Sequence, residues 1–160
     1  MATENKNLSA YNRSEVPDGS PLKIGLVVSE WNSGITENLF DGALKALLDC
    51  GVKKDNILRW DVPGSFELPF GCKKMIASNP VDAVVAIGSV IRGETSHFDY
   101  VCSATAQGIM DLNTNTSVPV IFCVLTDDTL QQSKDRSGGK HGNKGTEAAI
   151  AAIKMAILGN

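Results

Sequence analysis

From residue 23 onward, short apolar runs alternate with longer stretches whose apolar residues recur every three or four positions. Ile24-Gly25-Leu26-Val27-Val28 is compact and partly β-branched, the pattern of a strand buried on both faces. Leu39, Phe40, Ala43, Leu44, Leu47 and Leu48 follow at helical spacing, and Cys50-Gly51 ends that helix on a glycine. Residues 56–62 predict a second strand, more polar and so nearer a sheet edge, which Pro63-Gly64 stops. A helix over about 66–78 carries Pro69 in its first turn, where proline is tolerated. The run from Ala83 to Ile91 is the strongest strand signal in the chain. A helix over 97–113 follows, with Ser96 placed to cap it and Asp99 three residues later. Residues 118–125 predict a fourth strand. Thr129 and Gln132 have the spacing of a capping box for a short helix over 130–136. Residues 137–145 are rich in glycine, and a last helix is expected over 146–158.

Strands alternating with helices imply parallel pairing through right-handed crossovers. The expected fold is therefore α/β: four parallel strands in an open sheet with helices on both faces, a three-layer sandwich. Ligands of such sheets bind beyond the carboxyl ends of the strands, where the strand order reverses. Chemistry is to be sought in the loops 29–32, 63–67, 92–97 and 126–128. Only Lys154 interrupts the apolar surface of the last helix, which points to burial in a subunit interface; an alanine-rich surface helix is the plainer alternative. Residues 1–22 are polar and contain Pro17, Asp18-Gly19 and Pro21, so they read as an arm outside the core. The division is an arm over 1–21 and a domain over 22–160.

Composition narrows the partners. The 160 residues suit one domain, and 15 Lys plus Arg against 18 Asp plus Glu give a net charge of −3. That balance argues against nucleic-acid and anionic-membrane binding. No apolar run approaches the ~20 residues that span a bilayer. The first thirty residues lack a signal-peptide pattern, so a cytoplasmic location is expected. Cys50, Cys72, Cys102 and Cys123 form no Cys-x-x-Cys pair, and the only histidines are His97 and His141. No metal site is expected from them, and the cysteines read as reduced, small apolar residues.

Three loops carry candidate chemistry. Trp31 follows the first strand on a polar loop and could stack on a flat heterocycle; core packing is the alternative. Gly93-Glu94-Thr95-Ser96-His97 leads into a helix whose first-turn N–H groups are unpaired and suited to an anion. His97 falls at the first helical position, where the dipole disfavours imidazolium and leaves a ring able to exchange protons; a merely polar histidine fits equally well. Lys134, Arg136, Lys140 and Lys144 form a basic cluster in an acidic chain, either a phosphate clamp or a solvated loop. The loop has no aromatic residues to stack bases.

Longer motifs go further. Lys23-Ile24-Gly25 with Trp31-Asn32, then Val62-Pro63-Gly64-Ser65-Phe66-Glu67-Leu68-Pro69, and Gly88-Ser89-Val90-Ile91-Arg92-Gly93-Glu94-Thr95-Ser96-His97-Phe98-Asp99-Tyr100-Val101 stand in order. They are followed by Val118-Pro119-Val120-Ile121-Phe122 and by Arg136, Lys140 and Gly142-Asn143-Lys144-Gly145. Over about 22–158 the chain resembles the lumazine synthases of riboflavin biosynthesis. The resemblance implies a flavodoxin-like fold. It also implies condensation of 5-amino-6-(D-ribitylamino)uracil with 3,4-dihydroxy-2-butanone 4-phosphate, without a cofactor. Trp31 would stack on the pyrimidine. Ser65, Phe66 and Glu67 would hold the ribityl chain, and Ser89, Val90 and Ile91 would line the ring through backbone groups. A neighbour's Phe122 would cover the heterocycle. Glu94 and Thr95 would offer backbone N–H groups to the phosphate, a neighbour's Arg136 would complete the clamp with Lys140 in support, and His97 would move protons. A homopentamer is implied. An icosahedral 60-mer is favoured by the uninserted loop between Arg136 and Lys144, and association with riboflavin synthase is open. The arm would add a strand to a neighbouring subunit, a role its prolines oppose. A flavin-binding relative without activity and a purely structural shell protein are the rivals.

Overall fold

The structure, a computed structural model, describes residues 7–158. Its centre is a parallel sheet of β1 (Ile24–Ser29), β2 (Ile57–Val62), β3 (Ala83–Ile91) and β4 (Val120–Asp127), in the order β2-β1-β3-β4. All of β1 and most of β3 are buried, because both strands lie inside the sheet and are covered on both faces. β2 is at an edge, as its polarity predicts. The order reverses between β1 and β3, which places the switch point at their carboxyl ends.

Side chains of alternate strand residues enter two cores. On one face α1 (Ser33–Asp49) and the last helix, α5 (Lys144–Ala156), pack over Ile24, Leu26, Val28, Val85 and Ile87. On the other, α2 (Leu68–Ser78) and α3 (His97–Asn115) cover Val27, Val84, Ala86 and Val124. The three-layer expectation thus holds. Between β4 and α5 lie the short α4 (Leu130–Arg136) and a small hairpin, β5 (Ser137–Gly139) and β6 (Gly142–Asn143), within the stretch expected to be loop. The capping box forms: Thr129 Oγ1 accepts from the Gln132 backbone N–H, and Gln132 Oε1 accepts from the Thr129 N–H.

Two expectations are corrected. The apolar surface of α5 is used largely inside the chain: Ala148, Ala149, Ile150, Ala152 and Ile153 are buried with α1 and the sheet. Its alanines let α1 approach closely, so a subunit interface is not needed to account for that face. Nor does the segment before β1 stand wholly outside the core. Val16 and Leu22 are buried in the α1/α5 core, since two apolar side chains gain more by burial, roughly 2 kcal/mol each, than a free arm would. Arg13 fastens this segment by donating to the carbonyls of Asp49 and Val16, and the Tyr11 hydroxyl donates to Asp49 Oδ2 at 2.6 Å. Burial and the Asp49 carboxylate push the Tyr11 phenol up to about 12.

Further forward, the Leu8 N–H donates to the His141 carbonyl at 2.8 Å, and Ser9 Oγ accepts from the Asn143 N–H at 2.9 Å. Between those bonds sits Gly142, at φ +84°. A Cβ there would meet Asn7 Oδ1 and come within 2.7 Å of the Ser9 nitrogen. Glycine is required at 142 because the arm crosses it. Residues 1–6, the rest of the expected arm, fall outside the described region.

Candidate active site

A cavity of about 740 Å³ opens at the switch point. Trp31 and Asn32 from the β1–α1 loop, Ser65, Phe66 and Glu67 from a 3₁₀ turn before α2, and the end of β3 from Ser89 to Ile91 form three sides. Gly93, Thr95 and His97 form the fourth, with Phe98, Tyr100 and Val101 of α3.

Local packing positions each wall. β3 runs past its last pairing with β1, Val28 with Ile87, so Gly88–Ile91 overhang the β1 edge. Asn32 closes part of that gap: its Nδ2 donates to the Ser89 carbonyl at 2.9 Å. Asn32 is the one non-glycine residue with positive φ among the described residues, at φ 61°, ψ 43°, and the conformation turns the chain from β1 into α1. The Glu30 and Trp31 N–H groups donate to the Val62 and Pro63 carbonyls, tying the loop after β1 to the loop after β2. Trp31 is 72% exposed, which rejects core packing and leaves its indole on the rim. The Ser65–Glu67 turn lies directly on β3. A Cβ at Gly88 would stand 2.6 Å from Ser65 Oγ, and Thr105 Oγ1 of α3 donates to the Ser65 carbonyl at 3.1 Å. Ser65 and Ser89 are buried, and within the described chain neither hydroxyl has a hydrogen-bond partner. Both hydroxyls are sealed beneath the cavity wall, Ser65 Oγ against the backbone of Gly88.

The turn into α3 differs in detail from expectation. Ser96 makes no side-chain cap, because at ψ 0° it lacks the extended backbone a capping hydroxyl needs. Thr95 Oγ1 instead accepts from the His97 N–H, at 3.4 Å. Asp99 pairs with Arg92, whose Nη2 lies 3.1 Å from its Oδ1. Arg92 Nε reaches Asp128 Oδ1 at 2.7 Å, and the guanidinium lies 4.1 Å from the centre of the Phe98 ring. Both carboxylates hold Arg92 protonated more firmly than usual.

The structure brings together Trp31, Ser65, Phe66, Glu67, Ser89, Val90, Ile91, Thr95 and His97. Glu94 is exposed in the same turn, between Gly93 and Thr95. Phe122, Arg136 and Lys140 do not line this chain's cavity. Phe122 is part-exposed on edge strand β4. Arg136 ends α4, its Nη1 donating to the Gln132 carbonyl and its Nε 4.0 Å from Asp127 Oδ1. Lys140 lies 3.6 Å from Asp135. Asn32, Phe98, Tyr100 and Val101 stand in the motifs that carry the resemblance, but no role is read for them from sequence. For the last two, spacing held a signal, since residues three and four beyond His97 share its helix face. Burial alone pushes the Cys72 thiol up to about 12, and the buried Cys123 is likewise raised to about 12, so neither supplies a thiolate.

A family model described as 6,7-dimethyl-8-ribityllumazine synthase matches residues 21–160. The chain belongs to that family. Curated relatives with this name agree along almost the whole chain. The lumazine synthase of Flavobacterium johnsoniae is 63% identical over 99% of this chain and 83% of its own length. That of Christiangramia forsetii is 62% identical over 99% and 95%, and that of Parabacteroides distasonis 55% identical over 97% of each. Membership in the lumazine synthase family agrees with the flavodoxin-like order of the sheet and with a small-molecule cavity at its switch point. Among the described residues no helix is long and apolar enough to cross a membrane.

Proposed function

We propose that this chain condenses 5-amino-6-(D-ribitylamino)uracil with 3,4-dihydroxy-2-butanone 4-phosphate to 6,7-dimethyl-8-ribityllumazine, releasing inorganic phosphate and water. One observation carries the assignment of roles: an exposed indole, two polar side chains of the Ser65–Glu67 turn, and the His97 turn share one cavity in a chain of this family. Trp31 stacks on the pyrimidine. The Glu67 carboxylate accepts from and orients ribityl hydroxyls, with Ser65 and Phe66 against the chain, and the overhanging backbone of Ser89–Ile91 reads the ring edge. The N–H groups of the Glu94–Thr95 turn receive the phosphate.

The chemistry is carbonyl condensation. The primary amine of the uracil attacks the ketone to give a carbinolamine, which loses water to an imine. Loss of the proton from the hydroxyl-bearing carbon expels phosphate and leaves an enol, which tautomerises to a ketone; the ribityl-bearing nitrogen attacks that ketone and closes the ring with loss of a second water. His97 passes protons at each stage. The amine is already a good nucleophile, so holding the two reactants together supplies much of the acceleration.

The clamp is completed between subunits. Arg136, Lys140 and Phe122 lie outside their own chain's cavity, which supports their service to a neighbour's site in a homopentamer. Assembly of pentamers into an icosahedral 60-mer, enclosure of riboflavin synthase and a cytoplasmic location belong to the same reading. Mixing the protein with both substrates and following lumazine absorbance tests the function. Steady formation is expected; binding of lumazine or flavin without formation would make it a binder, and neither would leave a shell protein. Light scattering tests assembly, where a ring-sized species in every buffer would remove the 60-mer.

A further inference from the structure

We propose that Arg92 is a positioning residue for the phosphate-bearing substrate, joining the His97 turn to the helix that carries Arg136. This rests on the function proposed above. Arg92 is the last residue before the Gly93–His97 turn. On one side its guanidinium holds Asp99, in the first turn of α3, with Nη1 and Nη2 at 3.3 and 3.1 Å, and lies over the ring of Phe98. On the other side Nε holds Asp128 at 2.7 Å, and the Arg92 backbone N–H donates to the Asp127 carbonyl at 3.0 Å. One planar fork therefore clasps the start of α3 and a segment 36 residues beyond Arg92.

The far segment leads straight to Arg136. Asp128 donates its N–H to Gln132 Oε1 at 2.8 Å, and the Gln132 carbonyl accepts from Arg136 Nη1. Beside it the buried Asp127 accepts from Ser133 Oγ at 2.8 Å and faces Arg136 Nε. The network thus runs from the turn that receives phosphate in one site to the guanidinium that serves the next. The two carboxylates take three of the N–H groups of Arg92, and it is through them that Arg92 acts. Its loss loosens two phosphate-binding elements together and leaves Trp31 and the Ser65–Glu67 turn untouched, so the two substrates are affected unequally.

The test is steady-state kinetics on the assembled protein, varying each substrate separately, with inorganic phosphate as a competing probe. Arg92→Met is expected to raise KM for the butanone phosphate about ten-fold and to weaken phosphate inhibition by a similar factor, while KM for the uracil stays within about two-fold. Arg92→Lys, which keeps the charge and loses the fork, is expected to restore little. Asp128→Ala opens one arm of the clasp on an exposed side chain and covers the case in which Arg92→Met fails to assemble; it is expected to give the same split more weakly. Equal changes in both KM values, full rescue by lysine, or unchanged kinetics in both variants would overturn the proposal. A wild-type protein that makes no lumazine would remove the functional reading and this inference together; an active wild type with no split would remove the inference alone.

Discussion

Arg59 and Arg92 are built alike and placed differently. Arg59, on edge strand β2, donates to both oxygens of Glu37 at 2.9 and 2.6 Å and to Asp61 at 3.0 and 2.8 Å, and lies 4.3 Å from the centre of the Phe40 ring. Arg92 likewise has two carboxylates and a phenylalanine. The first cluster joins β2 to α1 on the flank of the domain; neither arginine lines the cavity, but the second adjoins the Gly93–His97 turn that does. On the role proposed for Arg92, the same side-chain chemistry serves the fold in one place and the geometry of the site in the other. Ion-pair count does not separate the roles; what the joined segments carry does.

The comparison breaks most severely at His97. If nothing in the turn moves protons, Arg92 has little to position. His97→Ala is expected to lower turnover about ten- to a hundred-fold, read from the rate of lumazine formation at saturating substrates. A wild-type rate would remove His97 from the mechanism. Next comes Arg136→Ala, expected to raise KM for the butanone phosphate about ten-fold with little change for the uracil, since a charge-assisted fork to phosphate is lost; an unaltered KM would refute the clamp between subunits.

Arg59→Met sharpens the contrast. Both KM values are expected to remain within about two-fold, and stability in a urea titration to fall by about 1 kcal/mol, the scale of a part-exposed ion pair. Unequal KM changes there would erase the distinction. The smallest effect is in pH. Hydrogen bonds from Arg59 hold the Glu37 carboxyl below its ordinary range. A depressed carboxylate adds stability above its unfolded pKa of about 4.3 and loses it as pH falls through the lower folded value. The stability advantage of wild type over Glu37→Gln, measured by urea titration at a series of pH values, should therefore be full above about pH 4.3 and shrink as pH falls, the two proteins converging once Glu37 is protonated.

Much of the fold was legible because β1 and β3 are buried on both faces and show uninterrupted apolar runs. Boundaries were less so. β4 was expected over 118–125 and occupies Val120–Asp127. Its last two residues continue as strand because they pair with Val90 and Ile91, a contact no local pattern displays. α5 begins at Lys144, ahead of its apolar stripe, because Asn143 Oδ1 accepts from the Gly145 N–H. In the site, Trp31, Ser65, Glu67 and His97 stood in loops that topology brings together. The left-handed turn at Asn32 and the clasp of Arg92 on Asp128 were hidden. The first is a backbone conformation, and the second joins side chains distant in the chain.

The crossing of Gly142 by the amino-terminal segment has a consequence for synthesis. Ser9 bonds to a partner 134 positions later, so the two cannot meet during synthesis until residue 143 has emerged from the ribosome. Until then Ser9 must wait, and its docking closes a loop of 134 positions.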